Sequence, residues 1–164
     1  MLDCFNPCFF KAESQAAMLA QQGILSAADG EAIRDGLAGI AADLRARGVE
    51  YKDVGTFTEA SVDYPVYARA VCDEITSGRA EFGILCCGTG IGMSIAANKR
   101  RGIRAAVLSD AFSAEMTRRH NDANVLCLGG RVIDAAKAVE LARIFLATPF
   151  EGGRHAKRVA MLEE

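Results

Sequence analysis

From Val49 onward, short apolar runs alternate with stretches whose apolar residues recur at helical spacing, the pattern of repeated β-α units around a parallel sheet. Tyr51 to Val54 reads as a short strand closed by Gly55. Asp63-Tyr64-Pro65 opens a helix, with Pro65 suited to the first turn, where a missing N–H costs nothing, and Gly78 ends it. Phe82 to Cys87 is an uninterrupted apolar run, as expected of a strand covered on both faces. Ser94 to Arg100 then reads as helix, Ile103 to Leu108 as strand, Ala111 to Arg119 as a helix with Asp110 at its N-cap, and Asn124 to Leu128 as strand. Asp134 caps a helix over Ala135 to Leu146, in which Ala138, Leu141, Ala142 and Phe145 fall at i, i+3, i+4 and i+7. A last short helix begins near Arg154.

The first 47 residues differ in character. Ala12 to Gln22 and Ala27 to Arg47 both read as helices, the second opened by Ser26 with Asp29 three residues on, a capping-box spacing. Only Cys4 to Phe10 offers a strand there, and Pro7 would confine it to an edge. With no linker or repeat, residues 1–164 are expected to form one α/β domain with a helical N-terminal segment over 1–47. Composition narrows its class. The chain is 51% apolar and 24% charged with a net charge of −2, so it folds and carries no field that would recruit nucleic acid. No run approaches the roughly 18 apolar residues of a membrane span, and the opening residues lack a basic start followed by an apolar stretch, so a cytoplasmic location is expected. The six cysteines are spread through the chain and are expected to be reduced thiols. None forms a Cys-x-x-Cys pair and neither histidine lies at ligand spacing from them, so no metal is expected.

Chemistry concentrates at Cys86-Cys87-Gly88-Thr89-Gly90-Ile91-Gly92, between a buried strand and a helix. Glycines at alternate positions allow a tight turn whose N–H groups point at one spot, where a helix dipole favours negative charge. Nucleotide sites and plain strand-to-helix connections share that pattern. The cysteine before it adds a thiol at the carboxyl end of a parallel strand, where open α/β sheets bind ligands, and makes Cys87 a candidate base or nucleophile. Cys86 should point to the opposite face, into the core. His120, in the polar run Arg118 to Asp122, is either solvated loop or a proton carrier. A loop leading into a parallel strand lies at the opposite sheet edge from one leaving it, so His120 should be remote from Cys87 within one subunit, and joint action needs a second subunit. Arg154 and Arg158, four apart, are either a basic tail or a phosphate grip, with Gly152-Gly153 as a hinge. Tyr64 either packs at its helix start or walls a ligand site.

From about Val49 to Val159 the chain resembles the type B ribose-5-phosphate isomerases, of the ribose/galactose isomerase family. The likeness is carried by Asp53-Val54-Gly55-Thr56, Val62 to Pro65, Gly83 to Lys99, His120 to Leu126, and Glu151-Gly152-Gly153-Arg154-His155. It implies a Rossmann-like three-layer α/β/α fold with a mostly parallel sheet of about five strands, and a dimer or tetramer with active sites shared between subunits. It further implies interconversion of ribose 5-phosphate and ribulose 5-phosphate through an enediol, without metal or organic cofactor. Cys87 would take the proton next to the carbonyl, with Thr89 and the amides of Gly88, Gly90 and Gly92 stabilising the enediolate. His120 would help open the ring, Asn121 and Tyr64 would bind hydroxyls, and Arg154 with Arg158 would hold the phosphate.

One departure stands out. The family's first strand ends in an Asp-His pair followed by Ala-Gly, and no such motif occurs here; Asp29-Gly30-Glu31 falls nearest by spacing but sits in a helical pattern. Met18 to Ser26 instead resembles an N-terminal helix of the argininosuccinate lyase group. The departure keeps two alternatives open: an isomerase of a tetrose or hexose phosphate, or a sugar-phosphate binding homologue without turnover. A nucleotide-binding dehydrogenase fits less well, because the turn lacks G-x-G-x-x-G spacing and no acidic residue ends the Ile103 to Leu108 strand.

Overall fold

In a computed structural model that describes residues 8–9, 26–55 and 62–164, the alternating pattern becomes a parallel sheet with helices on both faces. The elements are β1 (Cys8–Phe9), α1 (Ala27–Ala46), β2 (Lys52–Asp53), α2 (Tyr64–Thr76), β3 (Gly83–Cys87), α3 (Ile91–Ala97), β4 (Ala105–Val107), α4 (Ala111–Asn121), β5 (Val125–Gly129), α5 (Ala135–Ala147) and α6 (Arg154–Met161). The strands lie in the order β2-β1-β3-β5-β4, every described pair parallel. The helix expected over 12–22 and the segment 18–25 lie outside the described residues.

β3 and β5 form the centre of the sheet, and four of the five β3 residues and all five of β5 are buried, which is why their sequences are unbroken apolar runs. The pleat sorts the side chains. A Cβ on Gly83 would press on Val71 and Ile75 of α2, whereas Cys86 faces Ile33 and Ile40 of α1 and Ala138 of α5. α2 and α3 therefore cover one face, and α1 packs with α5 on the other, with α4 beside α5 and α6 against α4. The expected stripe Ala138, Leu141, Ala142 and Phe145 is buried on α5.

Local signals set the helix ends. Asp110 and Asp134 each accept a bond at 2.8 Å from the N–H three residues on, those of Ser113 and Lys137, as N-caps should. Gly78 takes a φ of +74° just past α2. Glu74, 8% exposed, fastens α2 to β2 and to its own C-terminal turn: its carboxylate accepts from Lys52 at 2.8 Å and from Arg79 Nε at 2.9 Å. Those two bonds hold Glu74 down to about 2.

Three expectations need correction. β1 is not an edge strand: Cys8 and Phe9, which both carry a backbone N–H, pair with β2 on one side and β3 on the other. The helix expected over Ser94 to Arg100 runs from Ile91 to Ala97, because Gly90, at φ +78°, turns the chain at once; Asn98 then leaves the helix to bond both backbone groups of Ala105, each at 2.8 Å. His120 and Asn121 are not in a loop. α4 runs on through both, and Asp122, at φ +47°, ends it with its carboxylate held by Arg118 and Arg104.

Candidate active site

In this strand order the connection from β1 runs to one side and that from β3 to the other, so the topological switch point, where open α/β sheets bind ligands, lies at the carboxyl ends of β1 and β3. Cys87 ends β3 there. The turn after it is tied to the exit of β5, with the N–H of Gly130 donating to Cys87 O and that of Arg131 to Gly88 O, both at 3.0 Å. Gly129 lets the two approach, since a Cβ there would lie 2.7 Å from the carbonyl carbon of Thr89. The chain doubles back so sharply that the N–H of Gly90 donates to Cys87 Sγ at 3.2 Å. Cys87 is half-buried, whereas Cys72, Cys86 and Cys127 are buried. Loss of solvent pushes the Cys72 thiol up to about 11 and Cys86 to about 12, and raises Cys127 well above its ordinary value. Those three are inert core thiols.

Tyr64 stands over the first turn of α3: a Cβ on Gly92 would lie 3.1 Å from its hydroxyl oxygen. Thr89 is exposed, and its Oγ1 accepts from the N–H of Ile91 at 3.4 Å. Arg131, which sequence reasoning passed over, lays its side chain across Gly88, its Cδ and Nε each 3.7 Å from a Cβ built there. One group thus gathers Cys87, Gly88, Thr89, Gly90, Gly92, Tyr64 and Arg131.

His120, Asn121 and Arg158 form a second group elsewhere, and Arg154 joins it by donating from Nε to Nε2 of His155 at 3.4 Å. His120 lies in the last turn of α4, and Arg158 lines a cleft of about 310 Å³ with His120, Asn121 and His155. A larger cleft, about 610 Å³, adjoins it at Asn121 and contains Arg100, Arg101 and Arg104 but not Cys87. The ring of His155, 6% exposed, lies flat on that of His120, with centroids 4.3 Å apart and planes 8° from parallel. Oε2 of Glu151 is 3.7 Å from Nε2 of each ring, while Arg119 holds Oε1 at 2.6 Å. Burial, then the charge of His120, holds the His155 imidazole below its ordinary value. His155 and Val159, at i and i+4, face inward on this helix, a spacing too short to single out His155 in the sequence.

The ligand atoms of His120, Glu151 and His155 lie within 4.8 Å of one another, near enough for a metal ion. The rings rule it out as arranged: lone pairs lie in the ring planes, and no point lies in both of two stacked, nearly parallel planes.

The two groups are at opposite ends of the sheet. Gly83 pairs with Val125 and Cys87 with Gly129, so the ladder is about 13 Å long at 3.3 Å per residue. Cys87 is at its carboxyl end, and α4 delivers His120 to its amino end, just before Val125.

The sequence profile of the Ribose/Galactose Isomerase family matches residues 28–162. Ribose-5-phosphate isomerase B of Escherichia coli is 48% identical over 120 residues, 73% of this chain and 80% of that protein. Ribose-5-P isomerase B of Listeria innocua is 43% identical over 121 residues, 74% and 82% of the two chains. Among solved structures, a ribose 5-phosphate isomerase of Thermotoga maritima superposes with a TM-score of 0.79 at 40% identity, covering 97% of each chain. Ribose-5-phosphate isomerase B of Mycoplasma genitalium with bound ribulose-5-phosphate gives 0.77 at 30% identity, covering 97% of this chain and 94% of that one.

Proposed function

This chain belongs to the ribose/galactose isomerase family, and from that premise we propose that it interconverts ribose 5-phosphate and ribulose 5-phosphate, with Cys87 as the base. The observation that carries the reading is Cys87 Sγ at the carboxyl end of β3, held by the Gly90 N–H at 3.2 Å, with Tyr64 over Gly92 and Arg131 across Gly88 of the turn that follows. In the open-chain aldose the C2 proton is acidified by the C1 carbonyl. The sulfur takes that proton, the electron pair moves onto O1, and the enediolate is reprotonated at C1 as the O2 proton passes to O1. The proton moves and no net oxidation occurs, so no redox cofactor takes part. Thr89 and the amides of Gly88 and Gly92 are the donors to the enediolate oxygen. The Gly90 amide, aimed at the sulfur, serves to fix the base.

His120 carries a proton from the anomeric hydroxyl to the ring oxygen, Asn121 and Tyr64 bind hydroxyls, and Arg154 with Arg158 holds the phosphate. Tyr64 already stands beside the Cys87 turn, but His120, Asn121, Arg154 and Arg158 meet Cys87 only if a second copy brings its own, so the working unit is a dimer or a multiple of one. The exposed apolar side chains of Ile91 and Ile95 on α3, Val107 on β4 and Phe112 at the start of α4 support docking of a second copy on this side. A cytoplasmic location suits a mechanism that needs a reduced thiol. A tetrose or hexose phosphate is the second reading, favoured by the absence of an Asp-His pair from the sequence; profiling sugar phosphates separates the two.

Subunit complementation tests the core of this proposal. Cys87→Ala and His120→Ala are each expected to lose at least a hundredfold in kcat. Refolded together at equal amounts, half the dimers are mixed and each has one intact site, so about a quarter of wild-type activity returns. Full activity of Cys87→Ala would refute the base. Mixed dimers without activity would refute the shared site.

A further inference from the structure

The buried imidazole beneath His120 has no part in the scheme above. It is held in place independently of any ligand: the N–H of His155 donates to Gly152 O at 3.0 Å as α6 begins, and its ring is nearly sealed from solvent. The strap that precedes it is pinned as well, because the N–H of Glu151 donates to Arg119 O at 3.0 Å and the Arg119 guanidinium bonds the Glu151 carboxylate. His120 is 37% exposed at its side chain and sits at a helix end, where an imidazole would otherwise sample several orientations. Its ring instead lies against His155 over a full face.

We propose that His155 is a positioning residue for His120, a rigid flat support that fixes the plane in which the His120 ring meets the sugar. The inference rests on the role given to His120 above. Glu151 stands at the side of the pair, its Oε2 3.7 Å from Nε2 of each ring, beyond hydrogen-bond distance. The support is geometric, so a flat apolar ring replaces it and a methyl group does not.

The test is a double-mutant cycle on the full chain, with kcat and KM for ribose 5-phosphate measured for His155→Ala, His155→Phe, His120→Ala and the His120→Ala/His155→Ala double variant. His155→Ala is expected to lower kcat about tenfold, because a misaimed proton carrier slows ring opening; KM rises separately, since Nε2 of His155 also accepts from Nε of Arg154 at 3.4 Å, and the kcat loss is the readout for His120. His155→Phe recovers most of that loss. In the His120→Ala background, His155→Ala has no further effect on kcat. A His155→Ala penalty of the same size in both backgrounds overturns the proposal, since the residue then acts through the fold. Equal losses in His155→Ala and His155→Phe overturn it too, since a ring nitrogen is then what matters. Full activity of His120→Ala fails the underlying reading itself, an outcome the single His120 variant reports without reference to His155.

Discussion

Replacing Gly129 by alanine tests whether the position of the glycine turn governs the reaction. The added Cβ would stand 2.7, 2.8 and 2.9 Å from the C, O and Cα atoms of Thr89. Carbon atoms settle about 3.5–4.0 Å apart, so the turn must retreat by about 1 Å, and the obstacle is backbone that has no rotamer to move into. A displacement of that size at a reacting group costs on the order of a hundredfold in rate, whereas the overpacking costs about 1–3 kcal/mol, which a domain of ordinary stability survives. Gly39→Ala is the control. Its Cβ would meet Val139 Cγ2 at 2.9 Å between α1 and α5, a comparable overlap relieved by one side-chain methyl. The assay is kcat for ribose 5-phosphate beside thermal unfolding followed by circular dichroism. Gly129→Ala should lose about a hundredfold in kcat while remaining folded, and Gly39→Ala should lose stability without a matching loss of rate. Wild-type turnover in folded Gly129→Ala, or parallel losses of rate in the two variants, would refute the reasoning.

Two further outcomes follow from the buried ionisable groups. The Glu74 carboxyl titrates at about 2 in the folded chain against 4.5 ordinarily, so as pH falls the unfolded chain takes up the proton first; the clamp is fully effective above about pH 5 and is lost between 4.5 and 2. Lys52 and Arg79 are 59% and 58% exposed, so after solvent screening Glu74→Gln should cost about 1–2 kcal/mol by urea unfolding at pH 7, with the gap to wild type closing towards pH 3. His155 shifts the other way for a base: its folded form is harder to protonate, the unfolded chain binds more protons below about 6.5, and stability should fall as pH drops through that value. His155→Phe should flatten that slope, and an unchanged slope in urea titrations between pH 7 and 5.5 would count against a buried neutral imidazole.

How far the sequence could be read depended on whether the deciding contacts were local. β3 and β5 are legible because burial on both faces leaves no room for polar residues, and α4 and α5 because each begins at an aspartate whose bond spans three residues. The start of α3 is not legible because Gly92 is a poor helix former, and the helix there is imposed by the left-handed turn at Gly90 packing on Leu128 of β5. α4 outran its expected end because a network of Arg104, Arg118 and Asp122, drawn from two elements, stabilises a left-handed residue that is not glycine. Arg131 and His155 were invisible as site residues for the same reason. One needs β5 beside β3, the other needs α6 against α4, and neither adjacency is written in a local spacing.

The helix over Ala27–Ala46 falls almost wholly within the residues that the family profile matches, and it bears on the site through a single layer of backbone. A Cβ on Gly130 would lie 1.9 Å from Ile33 Cγ1, so α1 rests directly on the exit of β5. That exit carries Arg131, and its amides hold the carbonyls of Cys87 and Gly88. A shift of α1 away from the sheet would therefore free the strap that clamps the turn, and a shift toward it is blocked by contact with the backbone. α1 thus secures the turn from behind, its small residues Gly36 and Gly39 letting it settle against α5 closely enough for Ile33 to reach Gly130.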